Sequence, residues 1–85
     1  MEDRRILKSY CWHKGRCFFI STIERDSSAA VSPAPRYMET IAWEYDWDST
    51  ERGEMVGMTG DGEAFRQHAD MVEQLYRTGE YTEPI

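Results

Sequence analysis

Between Tyr37 and Asp48 the chain alternates. Odd positions read Tyr37, Glu39, Ile41, Trp43, Tyr45, Trp47, and even positions read Met38, Thr40, Ala42, Glu44, Asp46, Asp48. A period of two is the signature of an extended strand, whose successive side chains leave opposite sides of the backbone. The pattern therefore sends four aromatic rings to one side of a sheet and the carboxylates of Glu44, Asp46 and Asp48 to the other. It fixes a β-sheet and its side-chain polarity together, without specifying a reaction.

The flanking segments extend that sheet. Ile6 to Trp12 and Arg16 to Arg25 read as two strands joined at His13-Lys14-Gly15. A three-residue loop with Gly15 in the left-handed position sets Trp12 opposite Arg16, Cys11 opposite Cys17 and Tyr10 opposite Phe18. A two-residue loop at Lys14-Gly15 is the competing register. Asp26 to Pro35 is small, polar and proline-punctuated, as an exposed loop is. Arg36 to Asp48 makes the third strand, Ser49 to Glu54 a polar turn, and Met55 to Met58 a short fourth strand. Thr59-Gly60-Asp61-Gly62 ends the sheet, and Asp61 caps a helix starting near Gly62 or Glu63. Phe65, His68, Val72, Leu75 and Tyr76 fall on one helical stripe, edged by Ala64, Ala69 and Met71. Gly79 is the expected terminator.

The element order β-β-β-β-α predicts an α+β fold: an antiparallel sheet of three to four strands with one C-terminal helix on one face, in a single domain over residues 1–85. Strand order stays open, because the long loop lets the third strand pair with either edge of the hairpin. Four strands span about 19 Å, whereas a helix is about 10–12 Å across. One helix cannot cover both faces. The three-residue register puts Tyr10, Trp12, Phe18 and Ile20 on one side and Leu7, Cys11, Cys17, Phe19 and Ile23 on the other. The face away from the helix then calls for the long loop, a second subunit or a partner.

Ten basic and sixteen acidic residues give a net charge of −6. Residues 1–25 hold six bases and three acids (+3), residues 39–60 one base and six acids (−5), and residues 61–85 two bases and six acids (−4). A net anion is repelled by phosphate backbones and anionic lipid, so direct nucleic-acid binding and membrane binding are not expected. Arg4, Arg5, Lys8, Lys14, Arg16 and Arg25 make the hairpin basic, and they are expected to balance the acidic third strand. The N-terminus lacks an apolar signal segment and no apolar run reaches membrane-spanning length, which points to a cytoplasmic protein. In that compartment Cys11 and Cys17 are expected as free thiols.

Catalytic patterns are missing. Cys11, His13, Cys17 and His68 do not carry a common zinc spacing. Ser27, Ser28 and Ser32 lie in no nucleophile motif. The glycines at 57, 60 and 62 match neither phosphate loop nor dinucleotide fingerprint. His68 on the inner helical stripe reads as a core histidine. No catalytic residue, metal ligand or cofactor is therefore expected. The expected function is protein–protein contact by a small non-enzymatic acidic domain, with Trp43, Tyr45, Trp47, Glu44, Asp46 and Asp48 as the partner-binding candidates. Self-association into a homodimer is the simplest way to cover the bare face. Two further expectations are an inhibitor or decoy of mobile-element origin that occupies a basic groove, and a small-ligand-binding or accessory enzyme domain.

Overall fold

A computed structural model describes residues 4–26, 36–60 and 62–83. It contains β1 (Arg4–His13), β2 (Arg16–Asp26), β3 (Arg36–Asp46), β4 (Glu51–Thr59) and α1 (Ala64–Thr78). The strands form one antiparallel sheet in the order β1-β2-β3-β4. The helix packs on one face, so the α+β reading holds. The loop expected over Asp26–Pro35 falls largely on residues 27–35, outside the described residues; Asp26 itself closes β2.

The first hairpin takes the two-residue register, not the three-residue one. Lys14 and Gly15 both have positive φ, 49° and 83°, the geometry of a tight turn whose twist matches the flanking strands. Lys14 tolerates the left-handed region at a modest cost, so Gly15 alone did not decide the loop length. His13 now faces Arg16, Trp12 faces Cys17 and Tyr10 faces Phe19. One residue of slip moves every side chain of one strand to the other face. Tyr10 and Trp12 therefore share a side with Cys17 and Phe19, while Cys11 lies across the sheet with Phe18 and Ile20.

β3 stops at Asp46, two residues short of the expected end, because Asp46 closes a turn. Its Oδ1 accepts from the backbone N–H groups of Asp48, at 2.9 Å, and Ser49, at 3.3 Å, and Thr50 N–H returns to its carbonyl. β4 is correspondingly longer than the expected four residues, and it bulges against β3 around Trp43.

The core lies between α1 and the inner sheet face. It comprises Cys11, Phe18, Ile20, Ala42, Met71 and Leu75, with Val56, Val72 and Tyr81 packed against them. The buried helical residues are Ala64, Gln67, His68, Met71 and Leu75. The stripe is thus rotated from the expected one: Phe65 and Tyr76 are 63% and 65% exposed. Gln67 displaces them because its amide has inner partners. Nε2 donates to Met38 O at 3.1 Å, and Oε1 accepts from Gly62 N at 2.9 Å. The N-cap is Glu63, whose carboxylate accepts from Phe65 N and Arg66 N; Asp61, the expected cap, lies outside the described residues. Gly79 ends the helix at φ 76°, as expected.

The first turn grips the last helix. His13 Nδ1 lies 2.9 Å from Tyr76 O, and Arg16 Nη1 donates to Gly79 O at 3.4 Å. One imidazole and one guanidinium thus meet carbonyls at the C-terminal end of the helix, where such groups lack intrahelical partners.

Candidate functional site

Three places bring polar or aromatic groups together: a hydroxyl–imidazole chain under the helix, a cleft at the turn end of the sheet, and the sheet face away from the helix.

The chain under the helix is built by alternation. Ser9 on β1, Thr22 on β2 and Thr40 on β3 all point inward, and His68 descends from α1. Ser9 Oγ sits 2.8 Å from His68 Nε2, Thr22 Oγ1 sits 2.8 Å from Nδ1, and Thr22 and Thr40 hydroxyls lie 2.6 Å apart. Thr22 and Thr40 are fully buried and His68 nearly so. Burial pushes the imidazole below its usual pKa, which favours the neutral ring. Both ring nitrogens are bonded, so the group satisfies itself. A serine–imidazole contact resembles a nucleophile and its base, but here the third member is a neutral threonine, where a triad uses a carboxylate to stabilise the imidazolium. The arrangement reads as a polar cross-brace between helix and sheet, in keeping with His68 as a core histidine.

The two cysteines are separate, free and buried, on opposite faces. Burial, reinforced by the proximity of Cys17, pushes the Cys11 thiol up to about 11, and burial also raises Cys17. Neither is a ready nucleophile. Among the described residues no group of three or more His, Cys, Asp and Glu side chains is placed to hold a metal ion.

The cleft arises where β2 and β3 part. Their ladder ends at Phe18 and Glu44. Beyond that pair the two hairpin tips leave a recess of about 510 Å³, lined by Trp12, Arg16, Cys17, Tyr45 and Trp47 and by Asp46, Asp48, Glu51 and Arg52 among others. Arg16 and Glu44 neutralise one another through Nε and Nη2. Asp46 is held below the usual carboxylate range by the backbone N–H groups of Ser49 and Asp48 and by the Ser49 side chain.

The outer sheet face is the largest assembly. Tyr10 contacts Phe19, Tyr45 and Trp47 at centroid separations of 5.1–5.2 Å. Trp12 meets Trp47 at 5.4 Å, and Phe19 stacks on Trp43 at 5.8 Å. All three tryptophans of the chain stand here. Trp12 is 46% and Trp47 55% exposed, and Met55 and Met58, opposite Trp43 and Ile41, are also exposed. Among the described residues no element packs over this face.

The sequence-derived candidates separate as their alternation requires. Trp43, Tyr45 and Trp47 are on the outer face. Glu44 points to the helix side and pairs with Arg16, while Asp46 and Asp48 belong to the turn. Glu44, Tyr45, Asp46, Trp47 and Asp48 nonetheless meet at the turn-end cleft, which all five line, and Trp43 stands apart from it on the outer face. The rings are also accompanied by cations that sequence reasoning did not attach to them. Arg5 lies over Phe19 at 5.4 Å and donates to Ser21 Oγ at 3.3 Å. Arg52 lies over Trp43 at 4.6 Å. Lys8 stands opposite Ser21 on the same side. Of the basic hairpin residues, Arg16 and Arg25 do meet the third strand, at Glu44 and Glu39, and Arg4 meets Glu24. Arg52 was not legible, because it lies in the segment read as a turn, whereas β4 begins at Glu51 and sets it opposite Tyr45. Nor were Arg5 and Lys8, because a bulge between Arg5 and Leu7 breaks their alternation.

No protein-family model matches this chain, no curated protein matches its sequence, and no solved structure matches its fold.

Proposed function

We propose that the chain is a non-enzymatic protein-contact domain and that the outer sheet face is its working surface. The observation that carries this reading is the concentration of Trp12, Trp43, Trp47, Tyr10, Tyr45, Met55 and Met58 on the face that α1 leaves bare. Tryptophan, tyrosine, methionine and arginine are the residues enriched where proteins meet, and isolated rings on a surface would need no such explanation. The dimensions also suit a macromolecule. Strands of up to 11 residues in a four-strand sheet give a face of roughly 19 by 36 Å, or about 700 Å², near the ~800 Å² per partner of a standard interface.

A photo-crosslinking residue placed at Trp12 or Trp47, with Phe65 and Tyr76 on the outer helix surface as comparison sites, tests the reading in cells that express the chain. Discrete protein adducts are expected from the sheet-face sites. Adducts from the helix sites alone, or none from any site, would refute it.

A further inference from the structure

We infer that the turn-end cleft is a binding site for an organic cation, an alkylated ammonium group held between tryptophan faces and carboxylates. This goes beyond the contact reading and does not depend on it.

Two features of the lining converge on that chemistry. The first is aromatic. Trp12, Tyr45 and Trp47 all line the recess, and Trp12 and Trp47 stay exposed there. Trp47 is the shared wall. It meets Trp12 at 5.4 Å with the planes inclined by 59°, and Tyr45 at 6.0 Å and 71°. Rings set this steeply to one another make corners, and a corner lets two ring faces touch one rounded group. The face of an indole carries the negative part of its quadrupole, which attracts a cation within about 6 Å of the centroid. Just outside the cleft the chain already seats one of its own cations in this way, Arg52 over Trp43 at 4.6 Å.

The second feature is charge. Glu44, Asp46, Asp48 and Glu51 line the cleft beside Arg16 and Arg52, a balance of −2. Arg16 is committed to Glu44 and to Gly79 O, and Arg52 to the Trp43 ring. Among the described residues Asp48 and Glu51 form no ion pair. Asp46 is kept ionised by the backbone N–H groups of Ser49 and Asp48.

This lining selects among cations. Among the described residues no three carboxylate, imidazole or thiol groups are placed to hold a metal ion, so the acids supply a diffuse field and not a coordination shell. A small, strongly hydrated ion gains little from such a field. An alkylated ammonium is weakly hydrated, spreads its charge over its methyl groups and presents them to the rings. The recess of about 510 Å³ falls in the range of small-ligand sites, about 300–1,000 Å³, and leaves space for whatever bears the cation. The same chemistry has two sources: a free molecule such as choline, or a trimethylated lysine side chain.

The test titrates the full chain with choline, with its neutral isostere in which a quaternary carbon replaces the nitrogen, and with a short peptide carrying either lysine or trimethyllysine. The chain's tryptophan emission and its indole N–H proton resonances are followed. Saturable change is expected with choline or with the trimethyllysine peptide, and the tighter of the two identifies the source. The neutral isostere and the unmodified lysine peptide are expected to bind about tenfold more weakly than their counterparts. Trp47→Leu, and separately Asp48→Asn combined with Glu51→Gln, are each expected to weaken cation binding by about tenfold, whereas Glu73→Gln on the outer helix surface leaves it unchanged. Asp48 and Glu51 are exposed, so the carboxamide pair reads the site even where Trp47→Leu disturbs the fold. Equal binding of choline and its isostere overturns the inference. So does unchanged affinity in the carboxamide pair, or no saturation with both choline and the trimethyllysine peptide. The crosslinks from Trp12 and Trp47 test the contact reading separately, so either can fail without the other.

Discussion

Gly57 sits opposite Ala42 in the β3–β4 ladder, on the face where the tail folds back. A Cβ there would lie 2.8 Å from Tyr81 Cδ2, 3.0 Å from its Cβ and 3.1 Å from its Cγ. The obstacle includes the root of the Tyr81 side chain, so a rotamer change does not relieve it. Gly57→Ala must displace the tail segment, which Thr82 N–H to Gln74 Oε1 and Thr59 Oγ1 to Glu83 Oε1 otherwise hold. A fully buried tyrosine ring covers ~150–250 Å², worth about 4–6 kcal/mol at ~25 cal/mol per Å². Tyr81 is half-buried, so its loss costs about 2–3 kcal/mol, an upper figure since the unfolded chain also buries some surface. Against this, Gly57 has no positive φ, and alanine at such a site gains about 0.4–1 kcal/mol from the unfolded state. Gly57→Ala is therefore expected to destabilise the wild-type chain by about 1–2 kcal/mol. In a Tyr81→Ala background the obstacle is gone, and the same substitution is expected to stabilise by about 0.5 kcal/mol. The coupling of about 2 kcal/mol is read from a double-mutant cycle of urea unfolding curves followed by far-UV circular dichroism. Equal effects of Gly57→Ala in the two backgrounds would refute the packing of Tyr81 on this glycine.

Three further outcomes are expected. Burial lowers the folded-state pKa of His68 below its ordinary 6.5. Its contribution to stability is thus complete above about pH 6.5 and is lost as pH falls through the depressed folded value. The difference in Tm between wild type and His68→Leu should shrink over that window, and a parallel pH dependence of the two proteins would argue against it. Gly79→Ala forces a left-handed alanine and brings its Cβ to 2.8 Å from His13 Cδ2. A loss of about 2 kcal/mol in chemical unfolding is expected, and a change under ~0.5 kcal/mol would contradict the clasp. Finally, Cys11 and Cys17 should react with a thiol reagent at pH 8 slowly in the folded protein and fast in denaturant; rapid labelling of both in the folded state would contradict their burial and the raised thiol pKa values.

Period-two alternation from Tyr37 and the glycine at position 79 were sufficient to read the third strand, the helix end and the fold class. The observed elements depart from the expected ones where a local tie outweighs a general preference. Aromatic residues are usually inside, yet Phe65 and Tyr76 were turned out by Gln67, whose amide partners Met38 O and Gly62 N belong to distant segments and leave no trace in the pattern. The hairpin register hinged on Lys14 accepting a positive φ, which side-chain type alone leaves undecided. That single choice also determined which rings the β1 and β2 strands contributed to the outer face. Only the Trp43, Tyr45 and Trp47 part of the aromatic face is legible from the alternation after Tyr37; the contribution of Tyr10, Trp12 and Phe19 depends on the hairpin register. The cations beside that face depended on register and on a bulge, both set by tertiary packing.

The grip of His13 and Arg16 on the carbonyls of Tyr76 and Gly79 means that the earliest turn and the final element complete each other. Neither end of the chain can be trimmed past those residues without consequences felt at the opposite end. Both contacts join residues 63 positions apart, so they tie together segments that lie far apart along the chain.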